Sequence, residues 1–205
     1  MGTRSVAAGA GGVADTRKAT APAHGRHGRA DLNPAARDRG SRENGVMTEL
    51  STIAPAFVEM AHRIVWCATA TVDASGRPRT RILHPIWEFD GSSLTGWILT
   101  SPVSPKAADL DANPVVSLTY WHLTHDTCTA DCTTSWDDTA EGRAAGWERF
   151  ASGPEPVGYD PRIIPFWPNP DAPAFGVLRL KPHRLRVMPG SVMLAGTGEV
   201  LTWRD

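Results

Sequence analysis

Between residues 63 and 100 the chain alternates β-branched or aromatic runs with compact turn sequences, and this rhythm restricts the possible folds more than any other feature. Arg63-Ile-Val-Trp-Cys-Ala-Thr-Ala-Thr-Val72 reads as a strand, because branched and aromatic side chains suit a pleated, half-buried surface. Asp73-Ala-Ser-Gly-Arg77 supplies the polar residues and the glycine of a tight turn. Residues 78–88 are extended again, Phe89-Asp-Gly-Ser-Ser93 turns, and residues 94–100 form a third extended run. Three antiparallel strands in succession need further strands to pair with, since an isolated hairpin is marginal in water.

Downstream residues supply them. Ser51 and Thr52 offer N-caps to a short helix over residues 53–62, where apolar residues recur at helical spacing. Ser104-Pro105 starts a second helix, which must stop near Asn113 because Pro114 disfavours helical geometry before it. Residues 115–121 and 126–136 read as two more strands, 137–152 as a helix, 153–173 as an irregular Pro-rich loop, and 174–188 as extended chain interrupted at Pro182. This many strands with one short helix after the third predict a mainly β protein: an antiparallel, closed or nearly closed barrel with a few short helices over residues 47–205.

Residues 1–46 contain no aromatic residue and are dominated by Ala, Gly, Arg, Asp and Pro, so no core can form there to offset chain entropy. They are expected to be a disordered, dispensable extension, or to precede a translation start at Met47. Eight dispersed basic residues and four acidic ones describe a solvated arm. The whole chain carries a formal charge of −1, which offers neither nucleic acid nor an anionic membrane a broad electrostatic attraction. Three cysteines, Cys67, Cys128 and Cys132, are an odd number that argues against a secreted disulfide framework. With no apolar run of membrane-spanning length and no secretory signal, a cytoplasmic protein acting on a small molecule is expected.

Chemistry concentrates in Gly76-Arg-Pro-Arg-Thr-Arg-Ile-Leu-His-Pro85, Leu99-Thr-Ser-Pro-Val-Ser-Pro-Lys106 and Asn113-Pro-Val-Val-Ser-Leu118. A helix start with free backbone N–H groups, flanking hydroxyls and a lysine makes an anion site. Arg79 and Arg81 fall on one strand face and add bidentate donors. In this order the motifs resemble the pyridoxamine 5′-phosphate oxidase-like, or FMN-binding split-barrel, family, most closely over residues 57–120.

That resemblance implies a homodimeric split barrel with FMN at the subunit interface and the flavin phosphate held by Arg81, Thr100, Ser104 and Lys106. Arg79, Leu99 and Ser101 complete the expected cofactor-binding set. Pro105 stands where the oxidases proper carry arginine, and Ile86 where a lysine is expected, which argues against vitamin-B6 oxidation itself. Related proteins of this fold bind the deazaflavin F420, so the resemblance implies an FMN-dependent oxidoreductase, with an F420-dependent reductase or a non-catalytic flavin or haem carrier as alternatives. No catalytic acid or base is assigned, since the cofactor carries the chemistry.

His84 and Trp87 are candidates for tuning the ring, although strand residues of these types are more often simply packed. Val200-Leu-Thr-Trp-Arg204 resembles the family's aromatic-Arg ending, with a buried terminal strand as the plainer reading of Trp203. His122, His125, Cys128 and Cys132 superficially have zinc-like spacing. On an extended strand the two cysteines lie about 13 Å apart, so no metal is expected.

Overall fold

The computed structural model describes residues 45–205. In chain order the elements are β1 (Val46–Met47), α1 (Leu50–Ile64), β2 (Cys67–Val72), β3 (Pro78–Leu83), β4 (Pro85–Phe89), β5 (Leu94–Thr100) and α2 (Pro105–Ala112). Then come β6 (Val115–Trp121), β7 (Thr127–Trp136), α3 (Ala140–Ala151), β8 (Gly176–Met188), α4 (Gly190–Ala195) and β9 (Leu201–Arg204). The expected mainly β, antiparallel split-barrel class with short helices is the one observed. The expected extension lies outside the described residues up to position 44. Val46, assigned to it, is instead part of β1, whose backbone bonds to Val200 in parallel pairing with β9.

The two hairpins form where the turn residues place them. Asp73 and Asp90 each accept hydrogen bonds from backbone N–H groups two residues on, closing the β2–β3 and β4–β5 turns. The run 78–88, expected to be one strand, is two. β3 pairs with β2, whereas β4 pairs with β5, and His84 is the single residue between them. Hydrogen bonding joins the strands in the order β3-β2-β6-β7-β8-β5-β4, with β9 and β1 continuing from the C-terminal half of β8. Laid flat, those seven strands at about 4.8 Å spacing would put β3 and β4 nearly 30 Å apart. One intervening residue spans only about 7 Å between its neighbours' Cα atoms. The sheet therefore curls until its edges meet.

Phe57, Trp87, Leu118, Tyr120, Leu180 and Leu185 fill the interior. The Phe57 ring stands edge-on to Trp87 at 5.0 Å and to Tyr120 at 6.2 Å, and Trp87 Nε1 donates to Tyr120 Oη at 2.8 Å, so the largest buried polar groups satisfy each other. Trp87 is thus a packed core residue and not a ring-tuning one. α1 plugs this core and is longer than expected: Ser51 and Thr52 lie inside its first turn, and Arg63 and Ile64, expected in the strand, complete its last. Chain reversal comes at Val65, φ 72°, because the apolar helical period persists through Ile64 before the β-branched run takes over.

A second apolar layer covers the outer face of β4, β5 and β8. Ile86, Leu99 and Val177 face outward there and pack with Phe150 of α3 and with Val157, Trp167 and Phe175 of the following loop. α3 is capped by Thr139, whose hydroxyl accepts from Gly142 N at 3.0 Å. The extended run over 174–188 forms β8, and its expected interruption at Pro182 is a register shift in the ladder with β7, opposite Asp131 and Cys132.

Gly96 sits under the Trp87 indole, where a Cβ would lie 2.7 Å from the ring. Both the ring and the backbone beneath it are locked in the barrel, so Gly96→Ala is expected to destabilise the fold by about 1–3 kcal/mol through overpacking. Denaturant unfolding checks this, and an unchanged midpoint contradicts it.

Candidate functional site

Two adjoining features on the β3–β5 side of the barrel make the candidate site. The first is cationic. Arg81, on β3, donates from Nη1 to Thr71 Oγ1 at 2.8 Å, and its Nη2 stands 3.5 Å from Asp109 Oδ2. Thr71 in turn donates to Asp109 at 2.8 Å, so this buried carboxylate of α2 has two partners. Lys106, one turn earlier on α2, donates from Nζ to Ser104 Oγ at 2.7 Å, and Ser104 donates to the Ser101 carbonyl at 2.7 Å. Among the described residues Lys106 has no carboxylate within ion-pair distance. Burial, and then the Arg81 charge, pull its pKa below the ordinary lysine value. Ser104 occupies the helix N-cap but its hydroxyl is turned to the lysine, leaving the first-turn N–H groups of α2 without a side-chain cap.

The second feature is a cleft of about 350 Å³ that carries no charged side chain. Leu83, His84 and Leu99 form its floor, while Trp66, Tyr159 and Trp167 are among its walls. The His84 ring is tilted against Trp66 at 4.9 Å and against Tyr159 at 5.3 Å. Burial holds the His84 pKa below the ordinary histidine value despite the opposing Val157 backbone, so the ring is neutral near pH 7. Among the described residues its Nε2 has no hydrogen-bond partner. Burial likewise pushes the Tyr159 phenol up to about 12. Two residues back along β3 from Leu83 is Arg81, and two residues beyond Leu99 is Ser101, a step of roughly 7 Å in each case. The cleft therefore runs into the cationic cluster.

Of the residues singled out in the sequence, Arg81, Ser101, Ser104 and Lys106 come together, and Leu99 lines the cleft. Thr100 is buried opposite Gly176, on the other face of β5 from Leu99. Arg79 is drawn back to the hairpin turn by Asp73, 3.3 Å from its Nη2, and is half exposed. His122 and His125 belong to the β6–β7 turn, whereas Cys128 and Cys132 point into the core. Sequence reasoning missed Asp109, whose only local signal was its place on the buried face of α2, and missed Tyr159 and Trp167, which sit in a loop with no periodicity.

No family model and no curated protein matches the sequence. Solved structures do match the fold. A protein from Clostridium acetobutylicum related to general stress protein 26, of the pyridoxinephosphate oxidase family, superposes with a TM-score of 0.54 at 13% identity, covering 76% of this chain and 94% of its own. A pyridoxamine 5′-phosphate oxidase-related, FMN-binding protein from Nostoc punctiforme gives 0.53 at 19% identity, with 69% and 87% covered. This is the pyridoxamine 5′-phosphate oxidase-like split-barrel fold. A nimC/nimA family protein from Clostridium acetobutylicum, at 0.54, 16% identity and 74% and 90% coverage, shares the same split barrel.

In this split barrel the cleft wall is tied down by one side chain. Arg143 of α3 donates to three backbone carbonyls of the loop, Pro170 at 2.9 Å, Ala172 at 2.8 Å and Phe175 at 2.6 Å. Its fork adds to the turns the loop makes within itself, the Ala172 carbonyl also accepting from Phe175 N at 2.9 Å. Arg143→Leu is expected to leave the barrel folded, lower stability by about 1–3 kcal/mol and open residues 153–173 to limited proteolysis. Wild-type protease resistance in the variant would contradict this.

Proposed function

We propose that the split barrel binds FMN and passes hydride or electrons between it and a small molecule, as a flavin-dependent oxidoreductase. The observation that carries this reading is the continuity of an uncharged aromatic cleft with a lysine that has no acidic partner. A planar ring with a phosphate-bearing tail matches both ends, and the fit is supported by the unpartnered Nε2 of His84 at the ring end. Lys106 and Arg81, with the hydroxyls of Ser101 and Ser104, would hold the phosphate; Leu83, Leu99, Trp66 and Tyr159 would exclude water from the ring. When bound, FMN supplies the hydride and single-electron chemistry. His84 and Tyr159 stay neutral at pH 7, so they orient and desolvate rather than exchange protons.

The cleft rim is apolar and open. Trp66, Ile82 and Ile163 are 58%, 61% and 66% exposed around it, and a second copy of this chain is the cover we propose. A sedimenting monomer at micromolar concentration with FMN bound would rule out that cover.

FMN titration into wild type and Lys106→Ala tests the site. Charge-assisted hydrogen bonds are worth about 1.5–3 kcal/mol each, so the loss is expected to weaken binding roughly 10- to 150-fold. Arg81→Ala should weaken it as much, but also strips Asp109 of a partner, so Arg81→Lys is the cleaner companion and should retain part of the affinity. Because the Lys106 pKa is lowered, the amine loses its proton below the ordinary lysine range, and wild-type affinity should fall as pH rises from 7 towards 10. Lys106→Ala should be flat over that range. FMN binding that ignores both substitutions overturns the phosphate site; saturable binding of F420 in place of FMN keeps the site and changes the cofactor.

A further inference from the structure

A second cavity among the described residues is larger than the aromatic cleft. It measures about 560 Å³ and lies at the other end of the same outer sheet face. Side chains alternate along β5 so that Thr95, Trp97 and Leu99 share that face. Leu99 floors the cleft, Trp97 lies under the Arg149 guanidinium of α3 at 3.7 Å, and Thr95 borders the cavity. The two openings are thus separated by the Trp97–Arg149 stack, about 13 Å apart along the strand.

Arg179 and Lys181 of β8 both line the cavity from this face, two residues apart. Among the described residues neither has a carboxylate within ion-pair distance, although over residues 45–205 thirteen Lys and Arg are outnumbered by eighteen Asp and Glu. Most of the other described cations are engaged: Arg63, Arg77, Arg79, Arg81, Arg149, Arg162 and Arg184 with acids, and Arg143 with carbonyls. Ser135 lies opposite Arg179 across the β7–β8 ladder, and with Thr95 offers a hydroxyl at the same wall. The hydroxyls of Ser92 and Ser93 are already donated to Asp90. Trp203 of β9 provides an aromatic wall, and Asp205 is the single acidic side chain among the lining residues.

We propose that this cavity is a second ligand site, independent of the flavin reading, for a small organic anion: a phosphate monoester borne on a planar ring. The Arg179 fork and the Lys181 ammonium, roughly 7 Å apart at their backbones, converge on one doubly charged phosphate. The ring then packs on Trp203. Asp205 opposes the anion and limits its affinity.

Calorimetric titration of the full chain with phenyl phosphate and with inorganic phosphate tests this. Phenyl phosphate is expected to bind saturably, and Arg179→Gln with Lys181→Gln together should weaken it at least about 30-fold, while the charge-conserving Arg179→Lys with Lys181→Arg keeps most of the affinity. Trp203→Leu should weaken phenyl phosphate about tenfold and leave inorganic phosphate unchanged, and Asp205→Asn should tighten both. Lys106→Ala should leave the binding that depends on Arg179 and Lys181 unchanged, which separates this site from the cationic end of the cleft. The proposal is overturned by absence of saturation up to about 10 mM, by a double Gln variant that folds and binds as wild type, or by a loss of binding that follows Lys106 instead.

Discussion

Everything in this protein hangs on the step from β3 to β4. These strands are the two ends of one hydrogen-bonded path, yet His84 alone separates them. Closure brings β3 and β5 to the same side of the barrel, and with them Arg81, Leu83, Leu99 and Ser101. No local preference of those residues would assemble them; the connection does. The residue at the joint cannot join a ladder on either side, and its ring turns out of the sheet to meet Trp66 and Tyr159. That a polar residue sits at the seam of an apolar cleft follows from its position in the topology.

The local grammar of the sequence was legible wherever turn chemistry was strong. Residues 94–100 formed a strand with the expected bounds, and Ser104-Pro105 began α2 where proline's fixed φ suits a first helical position. The errors were of another kind. Residues 78–88 are continuously β-prone, so nothing local shows that the strand changes partner at His84. Arg63 and Ile64 satisfy both a helical and a strand pattern, and packing on the core decided for the helix. The expected interruption at Pro182, by contrast, is present, as a register shift against β7 within a continuous strand. At the site, clustering of Arg81 with Lys106 was expected from motif order, whereas the roles of Asp109 and Tyr159 depend on contacts across 28 and 75 residues to Arg81 and His84, which no window of sequence contains.

Electrostatics divides the cleft from its cationic end. Inside the cleft, burial keeps His84 and Tyr159 uncharged, so the walls present dipoles and apolar surface only. A few ångströms away Arg81 is matched by Asp109 while Lys106 keeps an unmatched charge beside it. Two nearby cations facing one buried acid leave a local excess of about one positive charge. Burial first, and then their mutual repulsion, depresses the lysine, and an anion placed between them removes that repulsion.

The outer face of β4, β5 and β8 shows why cavities occur where they do. α3 is short, and its closest approach to the sheet is where Gly146 lets it settle on Val177. It covers the middle of that face and no more, with Arg149 bridging Trp97 and Glu88 at its edge. Towards Leu99 the face is extended by the loop that Arg143 ties down, and the opening is walled by aromatic side chains. Towards Thr95 no helix among the described residues covers the face, so the strand side chains Arg179 and Lys181 border an opening shared with Leu50 of α1, Ser135 of β7, the turn after β4 and the last strand. One helix too short for its sheet therefore leaves two openings of opposite chemistry, neutral at one end and cationic at the other, on a single rigid floor.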